Sequence, residues 1–263
     1  MRRLPATVAA FVVAAVLAGC TPEEPAPSAT TAPSPTPTPT ATADATPAPE
    51  PADGWSAPAS CTSIPLTAGG AIAGSALGPC IEQAFSSFGS GRVALSSAEI
   101  SGTVSFTYAP AVSFQAALET GDGPLELTFV DGQTWVDYGD GPIRGDRDSD
   151  VLDEQMASVA GDLYRVFSDP AFAADLIGAS PEWIVEAATD RIPADGEPVM
   201  AHRIVSAEPF AWFDIPIQEY AVWVAPDWTP VAAESTSDFL SARTTVTQEF
   251  HDLGMPVTIV APE

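Results

Sequence analysis

The chain has 263 residues, with 35 acidic and nine basic side chains and a formal charge of −26. Arg2 and Arg3 precede Cys20 and no acid does, so a chain beginning at Cys20 holds seven basic against 35 acidic residues, or −28. Such a surface repels phosphate backbones and argues against nucleic acid as a partner; every basic residue is Arg, which excludes Schiff-base chemistry on lysine.

Residues 1–19 read as a secretion leader. Arg2 and Arg3 form a basic start, an apolar run from Val8 to Ala18 follows, and Leu17-Ala18-Gly19-Cys20 closes it in the pattern of a bacterial lipobox. The run falls short of the roughly 20 residues of a membrane-spanning helix, so a targeting peptide is expected. Resemblance to bacterial lipoproteins implies that the Cys20 thiol takes a diacylglyceryl group and the freed amine a further acyl chain. At about 0.8 kcal/mol per buried methylene, such chains hold a domain on a bilayer. The expected location is the outer face of the cell membrane, with the membrane as partner through Cys20.

Residues 20–54 read as the lipidated cysteine and an unstructured tether. From Thr21 to Gly54 the chain is Pro, Thr, Ala and Ser with five acids, and it holds no Val, Ile, Leu or aromatic residue. It cannot bury a core. At about 3.1 Å per residue in a polyproline conformation it reaches on the order of 100 Å. A stalk crossing a cell wall and a passive spacer are both compatible with it.

Residues 55–80 read as an N-terminal strap, rich in Gly and Ala. With Cys20 lipidated, Cys61 and Cys80 remain as an even pair outside the cytoplasm, where disulfides persist. Their bond is predicted to close a loop of roughly 20 residues, for about 3 kcal/mol in the chain-entropy model. A metal or redox role has less support, because the two do not form a C-x-x-C pair and no histidine lies near.

Residues 81–263 carry the main domain. A short helix is predicted after Pro79, with Ile81, Ala84, Phe85 and Phe88 on one side. The period then changes to two: Val104, Phe106 and Tyr108, then Val112, Phe114, Ala116 and Leu118, then Leu125, Leu127 and Phe129, with Trp135 beyond the Asp131-Gly132 turn. Leu152, Met156, Val159, Leu163 and Phe167 recur every three or four positions behind Ser149 and Asp150, which predicts a capped helix of about four turns. A second helical piece is expected over 170–176. After a turn at Asp195-Gly196, strands are expected over 199–206, 217–224, 231–237, 243–251 and 257–260. Eight to ten strands with segregated helices make an α+β fold, a curved antiparallel sheet with helices covering its concave face.

The stretches Phe129-Val130-Asp131-Gly132-Gln133-Thr134-Trp135-Val136, Tyr220-Ala221-Val222-Trp223-Val224-Ala225-Pro226-Asp227 and Asp252-Leu253-Gly254-Met255-Pro256-Val257-Thr258-Ile259 resemble actinobacterial lipoproteins of the LppX and LprG type, whose fold is that of the LolA and LolB carriers. The resemblance implies an eleven-stranded half-barrel with helices over its mouth and an apolar cavity for acyl chains. Candidate lining residues are Phe106, Phe114, Leu127, Phe129, Trp135 and Trp223 from strands, and Leu152, Met156, Val159 and Leu163 from the helix. Ordinary core packing is the competing reading of each. Trp212 and Phe213, in the segment Pro209–Ile217 where two prolines and an acid interrupt any regular element, form either an apolar lip or a loop folded onto the sheet edge.

Catalytic chemistry finds no foothold. There is no Gly-x-Ser-x-Gly elbow, and the histidines, His202 and His251, are isolated on strands. Asp146, Asp148 and Asp150 alternate as in a calcium loop, but Val151 replaces the required Gly and Ala157 the final Glu, so a solvated capping loop is the stronger reading. The expectation is a monomeric binding protein without cofactor or metal. It takes a lipid or other amphiphile in a cavity, or, as the alternative, contacts an envelope partner through the same fold without one. The partner protein is not named by the sequence.

Overall fold

The computed structural model describes residues 55–165, 167–192, 198–239 and 242–262. Cys20, the leader, the tether and the turn expected at Asp195-Gly196 lie outside them. In chain order the elements begin with β1 (Ala71–Ala73), α1 (Gly74–Phe88), β2 (Ser90–Ser96), β3 (Ile100–Thr107), β4 (Ser113–Thr120), β5 (Gly123–Val130), β6 (Gln133–Asp137) and β7 (Ile143–Arg144). Two helices follow, α2 (Leu152–Arg165) and α3 (Pro170–Ala179). The chain then returns to strands: β8 (Glu182–Val185), β9 (Thr189–Arg191), β10 (Val199–Ser206), β11 (Phe210–Trp212), β12 (Ile215–Val224), β13 (Pro230–Phe239) and β14 (Ala242–His251).

All pairings are antiparallel and build one sheet in the order β1-β8-β10-β12-β13-β14-β2-β3-β4-β5-β6-β7, with β9 and β11 added on β10 and β12. The sheet curls without closing, and the architecture is the α+β class expected from the change of period. Its 14 strands exceed both the eight to ten expected and the eleven the resemblance implied. Most of the extra strands have two to four residues, too few to show a period of two. Conversely, residues 257–260 form no strand, because left-handed Asp252 (φ 52) and Gly254 (φ 78) turn the chain off the sheet after β14.

Strand pairing places one side chain of each cross-strand pair above the next on the same face. Val93, Val104, Ala116, Leu127 and Val136 thus form one inward row across β2 to β6, and all five are essentially buried. On the other half Ile72, Trp183, Tyr220, Val222 and Phe250 point the same way and are buried. Trp183 donates its indole N–H to the Ile177 carbonyl at 3.1 Å, tying the sheet to α3.

The helix α1 starts at Gly74, six residues before the predicted start, and contains Pro79 in its interior. The strap therefore ends earlier than the expected residue 80. Cys61 and Cys80 form the predicted disulfide, a link spanning 19 positions that fastens the strap to α1. Trp55 stacks on Phe88 at 5.0 Å. Close approach of α1 and α3 requires glycine at position 78, where a Cβ would stand 2.7 Å from the Ala174 carbonyl oxygen. Asp169 caps α3 by accepting from the Ala171 amide at 3.1 Å, with Pro170 in the first turn; a missing N–H costs nothing there.

Candidate functional site

Where α1 and α3 meet the sheet, a cleft is lined by Ile81 and Phe85 of α1, Pro170 and Ala173 of α3, and Tyr220, Val222, Ala233 and Phe250 of the strands. Tyr108, Ser168, Asp169 and Gln248 add polar atoms. Its free volume is about 20 Å³, room for about one water, whereas ligand pockets run to roughly 300–1,000 Å³. This cleft is nearly filled by its own lining side chains.

The polar end of the cleft is organised by the α2–α3 corner. Arg165 pairs with the buried Asp169 at 2.8 Å, and its guanidinium carbon lies 5.3 Å from the Phe129 ring centre and 5.2 Å from that of Phe172. Gln248 donates to the Phe167 carbonyl at 3.2 Å. The buried Ser168 hydroxyl finds no hydrogen-bond partner among the described residues. Burial, and secondarily the Asp169 carboxylate, pushes the Tyr108 phenol far above its ordinary value; burial alone does the same to Tyr220. Both phenols stay neutral at physiological pH. Of the five cleft residues Tyr108, Ser168, Asp169, Tyr220 and Gln248, none was a predicted lining residue, although Tyr108 lay in the alternation with Val104 and Phe106 and Tyr220 opened one of the stretches that carry the resemblance. Asp169-Pro170 carried a legible mark as well, the pairing of a cap with a helix-starting proline.

Of the predicted lining, Phe106, Phe114 and Leu127 are buried on the inner face, and Phe129 joins them by stacking on Phe114 at 5.4 Å. They pack against neighbours. Trp135 and Trp223 lie on the opposite face: Trp135 pairs across with Thr128 and Arg144, and Trp223 with Arg203 and Ala232. The reason is alternation, because Val136 and the two neighbours Val222 and Val224 occupy the inward positions. On the convex face Trp223 is covered by guanidinium groups, with Arg191 4.2 Å and Arg203 5.4 Å from its ring centre.

The segment around Trp212 and Phe213 is regular after all. Trp212 pairs with Ile215 to make a hairpin, and Phe213 (φ 48) and Asp214 (φ 62) occupy its two central positions, the left-handed geometry of a type I′ turn. Trp212 folds down, buried, with its indole N–H donating to Asp175 at 2.8 Å. Phe213 stands at the tip, 70% exposed. Only Phe213 is therefore available as an apolar lip.

The helix expectation is corrected most sharply. Residues 152, 156, 159 and 163 do share one face of α2, but that face points to solvent: Leu152 is 67%, Met156 38%, Val159 51% and Leu163 59% exposed. What the helix turns inward is its small side, Ala157 and Gly161. A Cβ at position 161 would lie 2.0 Å from the Thr134 hydroxyl of β6, so glycine lets α2 lie flat on the sheet. The large side chains of Leu152, Met156, Val159 and Leu163 would not fit in that gap.

The acidic loop before α2 holds itself together. Asp146 accepts from the Asp148 amide at 2.9 Å and Ser149 from the Val151 amide at 3.0 Å, and no group of three or more metal-ligating side chains occurs among the described residues. A polar recess of about 220 Å³ lies beside it, between Gln133, Arg144, Asp146 and Glu154. His202 contacts the Glu186 carbonyl at 3.3 Å and His251 the Asp252 carboxylate at 3.3 Å.

No family model matches the chain, and no curated protein does. Among solved structures the chain is similar to a LolA superfamily protein from Nitrosomonas europaea, at 13% identity, over 69% of this chain and 92% of that one, with a TM-score of 0.30.

Proposed function

We propose that the chain is an exported cell-envelope lipoprotein, anchored through Cys20, whose domain works by an external apolar contact and not by carrying a guest inside. The observation that carries this reading is the outward turn of Leu152, Met156, Val159 and Leu163, beside which the cleft under α1 and α3 has only about 20 Å³ to spare. Large contiguous apolar patches on the surface of soluble proteins mark interaction sites. Support for export and anchoring comes from the leader pattern, the tether and the disulfide. With −28 charges after Cys20, self-association is disfavoured and the domain acts as a monomer.

The second reading is an amphiphile carrier of the LppX and LprG type. It is favoured by one observation, the cleft at Ser168, whose hydroxyl is buried without a hydrogen-bond partner among the described residues beside the Arg165–Asp169 pair. Native mass spectrometry of the protein released from membranes separates the two. The external-contact reading expects the mass of the chain plus its anchor only. A stoichiometric lipid retained beyond the anchor would overturn it in favour of the carrier.

A further inference from the structure

We propose that the outward face of α2 receives a cationic amphipathic helix of an envelope partner, one that presents large apolar side chains along about three turns between flanking Arg or Lys residues. This rests on the external-contact reading above and names the partner's chemistry.

The stripe is built like one half of a helix pair. Positions 152, 156, 159 and 163 follow the spacing of 4, 3 and 4 that keeps side chains on one face, and at 1.5 Å per residue they extend over about 16 Å. At 100° per residue, the stripe lies opposite Gly161, the residue that touches the sheet, so among the described residues its four side chains stay exposed. A partner helix laid along it meets four apolar anchors in sequence, the pattern of helix-in-groove recognition.

Charge selects the occupant. From Asp146 to Asp162 the chain places six carboxylates against the single Arg147. On α2, Asp153 borders the stripe on one side and Asp162 on the other, both exposed, and Arg147 already bonds Asp162. Rim charges of one sign set partner choice and approach rate more than depth of binding. A partner with cationic flanks gains chiefly on the Asp153 side, since Asp162 is already paired with Arg147, and one with acidic flanks loses there.

The other occupants fit less well. The chain's own tether has no Val, Ile, Leu or aromatic residue between Thr21 and Gly54 and cannot fill an apolar face. A second copy would bring the same carboxylates into opposition. An anionic lipid surface carries the wrong sign and is repelled over a Debye length of about 8 Å at physiological salt.

The test uses the full-length protein with its anchor, reconstituted in nanodiscs of zwitterionic lipid, with empty nanodiscs as control. Two labelled synthetic helices share the same apolar residues; one has Arg flanks and the other Glu flanks. Fluorescence anisotropy at low and high salt is expected to show the Arg helix binding at least tenfold tighter, with the advantage shrinking as salt rises. The double variant Val159→Ser, Leu163→Ser should weaken the Arg helix tenfold or more. Because a substitution in the stripe can disturb the helix, Asp150→Asn with Asp153→Asn provides a second arm: it should lower the preference for Arg over Glu flanks with only the small drop in thermal unfolding temperature that losing acids at the start of a helix entails. Equal binding of both helices, binding by neither, or indifference to both double variants overturns the proposal. If the helices fail while the stripe variants reduce self-association or binding to zwitterionic vesicles, the cationic helix is wrong and the external contact survives. A lipid retained beyond the anchor removes the external contact itself.

Discussion

Truncating two of the most exposed positions of α2 gives the sharpest check on its orientation. Leu152 is 67% and Leu163 59% exposed, so folding withdraws only a third to two-fifths of each from water. Full burial of a leucine is worth about 1.5–3 kcal/mol, so each position contributes about 1 kcal/mol at most. Alanine also returns a few tenths of a kcal/mol through its helix propensity. The double variant Leu152→Ala, Leu163→Ala is therefore expected to lose less than about 2 kcal/mol. Were the apolar face turned into the sheet, each change would empty a packed site at roughly 2–5 kcal/mol, and the pair would lose about 4–10. Urea unfolding followed by tryptophan fluorescence measures the difference, provided the slope with denaturant is unchanged. Leu127→Ala, at a fully buried position, supplies the scale and should cost about 2–5 kcal/mol by itself. A loss above about 4 kcal/mol in the α2 double variant would refute the outward orientation and with it the external contact.

Three further outcomes follow from the packing. Breaking the Cys61–Cys80 link, 19 positions apart, with Cys80→Ser should lower stability by about 3 kcal/mol, and wild-type protein under strong reductant should unfold at the same reduced temperature. Gly78→Val should destabilise by about 1–3 kcal/mol through overpacking, since even a Cβ would lie 2.7 Å from the Ala174 oxygen; a variant as stable as the wild type would mean that α1 and α3 are not in close contact. Raised phenol values at Tyr108 and Tyr220 contribute stability that is present below the unfolded value near 10 and lost as pH climbs toward the folded values. Chemical unfolding between about pH 9 and 11 should show falling stability, and Tyr108→Phe with Tyr220→Phe should flatten that slope.

The strands were legible where the period of two ran long enough. The segment 199–206 is recovered residue for residue as β10, and the alternations around Phe106, Phe114 and Leu127 fall on β3, β4 and β5. Short strands such as β7, two residues long, had no pattern to read, since pairing with a neighbour alone makes them strands. The Phe213-Asp214 turn was hidden because Phe213, unlike Asp214, is a rare choice for left-handed backbone. The cleft was hidden as well, its lining being drawn from segments as distant as Ile81 and Phe250.

Composition and local order alone determined the acidic character, the lack of Val, Ile, Leu and aromatic residues over 21–54, the cysteine pairing and the α+β class, because each depends on residue identity or on spacing within one segment. Direction was decided by the tertiary structure. A period of two says that neighbours part company, and only the sheet chose Val136 over Trp135 and Val222 over Trp223 for the inside. A period of 3.6 says that Leu152, Met156, Val159 and Leu163 act together, and only the fit of Gly161 against Thr134 turned them outward. Periodicity measures relative angles between side chains, whereas the inside is defined by what lies across the gap.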